Sequence, residues 1–201
     1  MAAPQRGPRE RMVFSAAQLI RREGVTATGV RDVVEHAQAP RGSVQHYFPA
    51  GKDQLVNEAV DWAAHYAAAR VERFVAGLSH PTPSRLFAAM VRQWTEEYRT
   101  AGFAAGCPLA AATVDCAEST ESTRRAIAEG FTVWRRPVAR ALAEMGVPAR
   151  KAASLATLMI STLEGAIIIA RAEQDNRALT TAIRELGPLL DSHVSSGPRP
   201  R

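Results

Sequence analysis

Between Arg41 and Lys52 the chain gathers side chains that hydrogen-bond to planar bases and to phosphates. Arg41 presents a fork that fits a guanine edge, and the Gln45 amide can pair with adenine. Ser43, His46 and Tyr47 offer groups suited to bases or phosphates. Gly42 lets backbone approach such a partner closely. Lys52 sets a cation beside the start of the next helix, a ready phosphate clamp. Thr28 and Arg31, at the head of the preceding helix, join this set. Catalysis and metal binding find no comparable pattern. His36, His46, His65, His80 and His193 are scattered, with no HExxH and no Cys/His zinc spacing. A Walker loop, GxGxxG and GxSxG are also missing. The expectation is therefore no enzyme, no catalytic residue, no metal and no cofactor.

These side chains need helices to hold them. Apolar residues recur at helical spacing almost throughout, and alternating β-branched runs are missing. A first helix is predicted over Pro8 to Glu23, with Val13, Ala16, Ala17 and Ile20 inward and Gly24 as its stop. Thr28 is predicted to N-cap a second, in which Val30, Val33, Val34 and Ala37 form one face. After the turn Gln38-Ala39-Pro40, a short third helix is expected from Pro40 to Tyr47, anchored by Val44 and Phe48. A long fourth follows from Lys52 to Leu78. Further helices are expected at Ser84 to Thr100, Pro108 to Cys116, Thr120 to Met145, Pro148 to Asp175 and Thr180 to Val194. Gly130 and Pro137 are expected to kink or divide the Thr120 helix. The tail 195–201 is expected to be disordered.

The bulk properties bound the reading without making it. The 201 residues are 46% hydrophobic and 22% charged, which fits a packed chain with a net charge of +5. Up to Lys52 the bases Arg6, Arg9, Arg11, Arg21, Arg22, Arg31, Arg41 and Lys52 outweigh Glu10, Glu23, Asp32 and Glu35. Positive charge thus gathers near the candidate recognition helix. Arginine dominates the bases throughout, which GC-rich codon usage accounts for first. Cys107 and Cys116, nine residues apart, would sit on opposite faces of one helix, so no mutual disulfide is expected and a reducing cytoplasm fits. The N-terminus lacks a signal-peptide core. The longest apolar stretch, Leu155 to Ala170, is broken by Ser161, Thr162 and Glu164 and is shorter than the ~20 residues that span a bilayer. No membrane segment is expected.

From Val13 to Leu55 the chain resembles the DNA-binding domain of the TetR family of repressors. The resemblance rests on Ala16-Ala17, Gly24, Thr28, Val30, Val33, Ala37, Arg41-Gly42-Ser43-Val44, His46, Phe48, Lys52 and Leu55. Phe48-Pro49-Ala50-Gly51-Lys52, Gly106-Cys107-Pro108-Leu109-Ala110 and Glu164-Gly165-Ala166 resemble the narrower LmrA/YxaF-like group, whose members control drug-efflux or aromatic-compound genes. Two departures stand out. Gln38 occupies a turn position where the family usually has Gly, and Gln adopts a left-handed conformation at greater cost. Gln45 replaces a Tyr that in the family commonly touches the DNA backbone, so an altered contact is expected there.

The resemblance implies a ligand cavity and a dimer interface in the remaining two-thirds. Candidates for the cavity wall are Trp62, Tyr66, Phe87, Met90, Trp94, Tyr98, Phe131, Trp134, Met159 and Leu163, although each alone also reads as plain core. As a set they favour an aromatic or amphiphilic ligand. Glu164 is either a polar contact in that cavity or a carboxylate at the bundle edge. Cys107, before Pro108, is either a redox-sensitive thiol or a buried, inert one. For the dimer the stripes are Leu155, Leu158, Thr162, Gly165 and Ile169, then Leu179, Ile183, Leu186 and Leu190; the alternative is an intramolecular hairpin.

The expected fold is all-α: a three-helix helix-turn-helix domain over 1–52, then a larger helical ligand-binding and dimerisation domain over 53–201. The function this implies is a cytoplasmic, ligand-responsive homodimeric repressor on a palindromic double-stranded DNA operator, released by a small-molecule effector. The alternative is a small-molecule binding protein of the same fold that has lost DNA binding.

Overall fold

The computed structural model describes residues 7–40, 42–115 and 120–194. Arg41, Cys116 and the tail 195–201 lie outside the described residues. Among those described, every regular element is a helix. In chain order they are α1 (Pro8–Ala27), α2 (Val30–His36), α3 (Ser43–Tyr47), α4 (Lys52–Ala76), α5 (Pro83–Ala101), α6 (Pro108–Val114), α7 (Glu121–Glu144), α8 (Ala149–Glu173) and α9 (Arg177–Asp191).

The chain divides into two units. One comprises Met1–Tyr66 with Ala105–Phe131, the other Ala67–Ala104 with Thr132–Arg201. Helices α4 and α7 therefore each contribute residues to both. In the first unit α1 packs on α2 and α6. Its core takes Met12, Ala16 and Ile20 from α1, Val33 from α2, Leu55 and Val60 from α4, and Leu109 from α6. Phe48, fully buried, closes that core behind α3. A phenylalanine so placed contributes on the order of 2–3 kcal/mol by burial alone. In the second unit α9 packs on α5 and α8, and α5 on α8. Its centre is Leu86, Phe87, Leu142, Met159, Leu163, Ile167 and Leu179.

Most differences from expectation fall at helix ends. Helix α1 does break at Gly24 (φ 85, ψ 173), but one further turn follows, to Ala27. Thr28 consequently ends α1 instead of capping α2: its hydroxyl donates to the Gly24 carbonyl at 2.6 Å. Gly29 takes the N-cap position of α2, and its N–H donates to the Asp32 carboxylate at 3.1 Å. Helix α3 starts at Ser43 and not at Pro40, and the Ser43 N–H donates to the Pro40 carbonyl at 3.0 Å. Helix α7 runs on through Gly130 and Pro137.

Helix α8 is 25 residues long, more than the apolar stretch suggested, and a window of it reaches a mean hydropathy of 1.8. By length and composition it passes for a membrane span. Half of that window is buried inside the protein, however, and it packs on α9 and α5 as a core helix does.

Candidate nucleic-acid interface

The link between α2 and α3 is built by backbone hydrogen bonds around one left-handed residue. Gln38 has φ 50, its N–H donates to the Glu35 carbonyl at 3.0 Å, and Ala39 N–H donates to the Val34 carbonyl at 3.0 Å. This pair is the Schellman arrangement that ends a helix and redirects the chain. Behind it, Arg11 Nε donates to the Ala37 carbonyl at 3.1 Å, and His36 Nδ1 lies 2.9 Å from Ser15 Oγ. The turn is thereby fixed to α1.

Helix α3 then separates its faces. Phe48 is buried, Val44 half-buried, and Gln45 and His46 are exposed. Tyr47 is half-buried, with the His46 ring edge-on at 4.8 Å. Gly42 is exposed, and a side chain added there would meet nothing within 4 Å. Its φ of −95 suits any residue, so the fold itself does not demand a glycine here. Ser43 is half-buried and gives its hydroxyl to the Pro40 carbonyl at 2.6 Å. Lys52 Nζ donates to the Thr26 carbonyl at 3.4 Å, which uses one of its three N–H groups. Arg31 is exposed on α2. Gly42, Ser43, Gln45, His46 and Tyr47 thus lie together on or before α3. Thr28 stands apart from them: it is 3% exposed, and its hydroxyl is turned to the Gly24 carbonyl at the end of α1. Arg41 lies outside the described residues.

The sequence reading missed the network that holds this segment from behind. Arg9 lies over the Phe48 ring, 5.4 Å from its centroid, and its Nη2 reaches Glu58 Oε1 at 2.6 Å. The same oxygen accepts from Gln54 Nε2 at 3.0 Å, while Gln54 Oε1 accepts from Ala50 N–H at 3.1 Å. The Gln54/Glu58 spacing of four is visible in the sequence, whereas the arrival of Arg9 from α1 is a tertiary event. Beside this network Ala50, Asp53, Gln54, Asn57, Glu58, Asp61 and Ser122 line an open depression of about 560 Å³, none of them an expected ligand contact.

The candidate cavity wall falls into two groups. In the first unit Trp62 is half-buried, stacked on Tyr66 at 5.3 Å and edge-on to Phe14 at 5.2 Å. Tyr66 is 44% exposed, Phe131 half-buried and Cys107 buried at the N-cap of α6. In the second unit Phe87, Met90, Trp94, Tyr98, Trp134, Met159 and Leu163 are all buried. Tyr98 packs between Trp94 (5.9 Å) and Phe103 (4.7 Å), the last absent from the expected set. Glu164 is buried, which removes its bundle-edge alternative.

The residues expected at a dimer interface divide between core and surface. Leu155, Leu179, Leu186 and Leu190 are buried within the subunit, where α8 and α9 pack together. Leu158 and Ile169 are exposed, with Ile168 and Leu189, which were not expected; Thr162, Gly165 and Ile183 are half-buried. On α8 the outward stripe thus keeps Leu158, Thr162, Gly165 and Ile169 of the expected line, loses Leu155 to the core and gains Ile168. Among the described residues, no three His, Cys, Asp or Glu side chains converge as a metal site.

Residues 15–59 match the family model of the bacterial regulatory proteins of the tetR family. Residues 83–185 match that of the C-terminal domain of LmrA/YxaF-like transcriptional regulators. An HTH-type transcriptional regulator of Mycobacterium tuberculosis is 41% identical over 189 residues, 92% of this chain and 94% of the relative. The HTH-type regulator YxaF of Bacillus subtilis is 27% identical over 183 residues, 90% and 94% of the two chains. In structure, a TetR transcriptional regulator from Legionella pneumophila superposes with a TM-score of 0.80 at 19% identity, covering 94% of this chain and all of the other. Reduced NemR from E. coli gives 0.76 at 17% identity, over 95% and 98%. At these identities the two structures establish the fold alone.

Proposed function

Because the chain belongs to the TetR family of transcriptional regulators, in its LmrA/YxaF-like branch, we propose that it is a homodimeric repressor that binds a palindromic operator and is released by a small effector. It is a regulator and not an enzyme. The functional division falls near Lys52, with DNA reading before it and effector binding and dimerisation after it. Such a regulator works in the cytoplasm, where its DNA is.

The observation that carries the reading is the polarity of α3, with Gln45 and His46 exposed over a fully buried Phe48. A five-residue helix has no stability of its own, so an exposed polar face held this firmly from behind is a face presented to something. DNA fits it. Gln45 and His46 have groups for base edges, the open space at Gly42 admits a phosphate backbone, and Arg31 and Lys52 supply charge. Gln45 is assigned a base contact. In a dimer the two α3 helices would stand about 34–36 Å apart, one turn of DNA.

Effector binding is assigned to the second unit, where Trp94, Tyr98 and Phe103 offer aromatic surface and Glu164 a buried carboxylate. Helix α4 contributes to both units, so its displacement by an effector would alter the spacing of the recognition helices. A coupling of about 1–3 kcal/mol is enough for such a switch.

Titration of the purified protein against its own upstream DNA and against random DNA, at moderate salt, tests the reading. A preference of at least ~1,000-fold for the upstream DNA is expected. Gln45→Tyr should keep DNA binding and change the preferred operator bases. No preference for the upstream DNA would defeat the repressor reading, and retained affinity for aromatic ligands would then mark a sequestering protein.

A further inference from the structure

The broken end of α1 is held from outside by a side chain that neither the DNA face nor the effector site uses. At Gly24 the backbone turns to φ 85, and an ideal Cβ there would lie 2.6 Å from Asp115 Oδ2. Glycine is required twice at this position, by the left-handed backbone and by the carboxylate lying in the notch. The same oxygen accepts the Thr26 N–H at 3.0 Å, a donor stranded by the break. On the other side of that residue the Thr26 carbonyl accepts from Lys52 Nζ at 3.4 Å. Two residues further on, Thr28 N–H and hydroxyl both return to the Gly24 carbonyl, at 3.3 and 2.6 Å, and Gly29 then starts α2.

Asp115 follows directly on α6, whose other end is fastened to the same stretch of α1. Gly106 N–H donates to the Arg21 carbonyl at 2.8 Å, and Arg21 Nε donates to the Gly106 carbonyl at 2.9 Å. A short helix is thus fixed at both ends along the last turns of α1, with its final carboxylate at the hinge from which α2 departs. A carboxylate is an unfavourable neighbour for a polyanion, so its place beside the turn that leads into α2 calls for another reason.

We propose that Asp115 is a positioning residue for DNA binding: seated in the notch at Gly24, its carboxylate holds the α1–α2 turn in the conformation that presents α3. The position of α6 thereby becomes an input to the recognition helix. This rests on the DNA-binding reading of α3 given above.

Electrostatics and positioning predict opposite signs. If Asp115 acts only as a charge, Asp115→Ala strengthens binding to any DNA, because it removes a repulsion. If it positions α3, Asp115→Ala weakens binding to the upstream DNA roughly tenfold, the effect of losing one charge-assisted hydrogen bond. Binding to random DNA then changes little, so the ratio of specific to non-specific affinity falls. Asp115→Asn keeps an oxygen for Thr26 N–H and should recover part of that ratio. Amide exchange of the full-length protein without DNA gives an independent readout, with faster exchange expected across residues 25–48 in Asp115→Ala. Upstream affinity equal to or above wild type overturns the proposal, as does an equal loss in the Ala and Asn variants. Should wild type show no preference for its upstream DNA, the repressor reading fails, and exchange still decides Asp115: faster exchange across 25–48 supports the positioning contact, and unchanged exchange overturns it.

Discussion

Gln38 holds a left-handed backbone (φ 50) at the point where α2 hands over to α3. An L-residue there costs about 1–2 kcal/mol relative to its preferred regions, and glycine avoids that strain at an entropic cost of roughly 0.5–1 kcal/mol. Gln38→Gly is therefore expected to stabilise the folded protein by about 0.5–1 kcal/mol and to raise Tm by roughly 2 °C. A thermal melt that falls would show that the glutamine side chain makes a compensating contact. This strain was legible in the sequence because turn chemistry depends on a few adjacent residues. The role of Thr28 was not. Its hydroxyl returns to the Gly24 carbonyl at the end of an extra turn, where the backbone also bonds to an Asp115 carboxylate 89 residues away in sequence. Gln45 and His46 could be read as outward because Phe48 defined the inward face. Arg9, whose partner Glu58 is 49 residues distant, could not be placed.

At the scale of elements, Gly130 does not divide the helix it sits in. Helix α7 continues through it, and the absent side chain makes room: an ideal Cβ would lie 3.2 Å from Leu109 Cδ2, 3.4 Å from Ala64 Cβ and 3.5 Å from Val60 Cγ1. Helices α4, α6 and α7 converge there. Gly130→Ala meets chiefly the flexible tip of Leu109 and regains helix propensity, so the two effects nearly cancel. Gly130→Val adds two branches to the same space and should destabilise the protein by about 1–3 kcal/mol, measured by urea unfolding. An unchanged midpoint would mean that α6 can move away at little cost. The same limit on legibility governs α8. Its apolar residues cover most of its circumference, so periodicity gave a helix without saying which stripe is inside. In the folded chain Leu155 and Leu163 are buried, and Leu158 and Ile169 are exposed.

For the whole molecule, that outward stripe carries the argument for a second copy. Leu158, Ile168 and Ile169 on α8 and Leu189 on α9 are all large, apolar and exposed. Gly165 lies on α8 between Leu158 and Ile168, and a side chain there would meet nothing in its own chain. Its smallness is thus unexplained within the subunit and fits the close approach of another helix. A two-fold pairing of these faces would also join two recognition helices, as an operator with two half-sites requires. Ile169→Glu places a charge in the middle of that face while leaving the inward stripe intact. The variant is expected to stay folded but to sediment as a single 21.7 kDa chain. With only one α3 per particle it loses the second, linked contact, and affinity for the palindrome should fall by about 100-fold or more. A variant that still sediments as a dimer at micromolar concentration would move the interface off this face. One that becomes monomeric yet keeps its operator affinity would separate dimerisation from DNA reading.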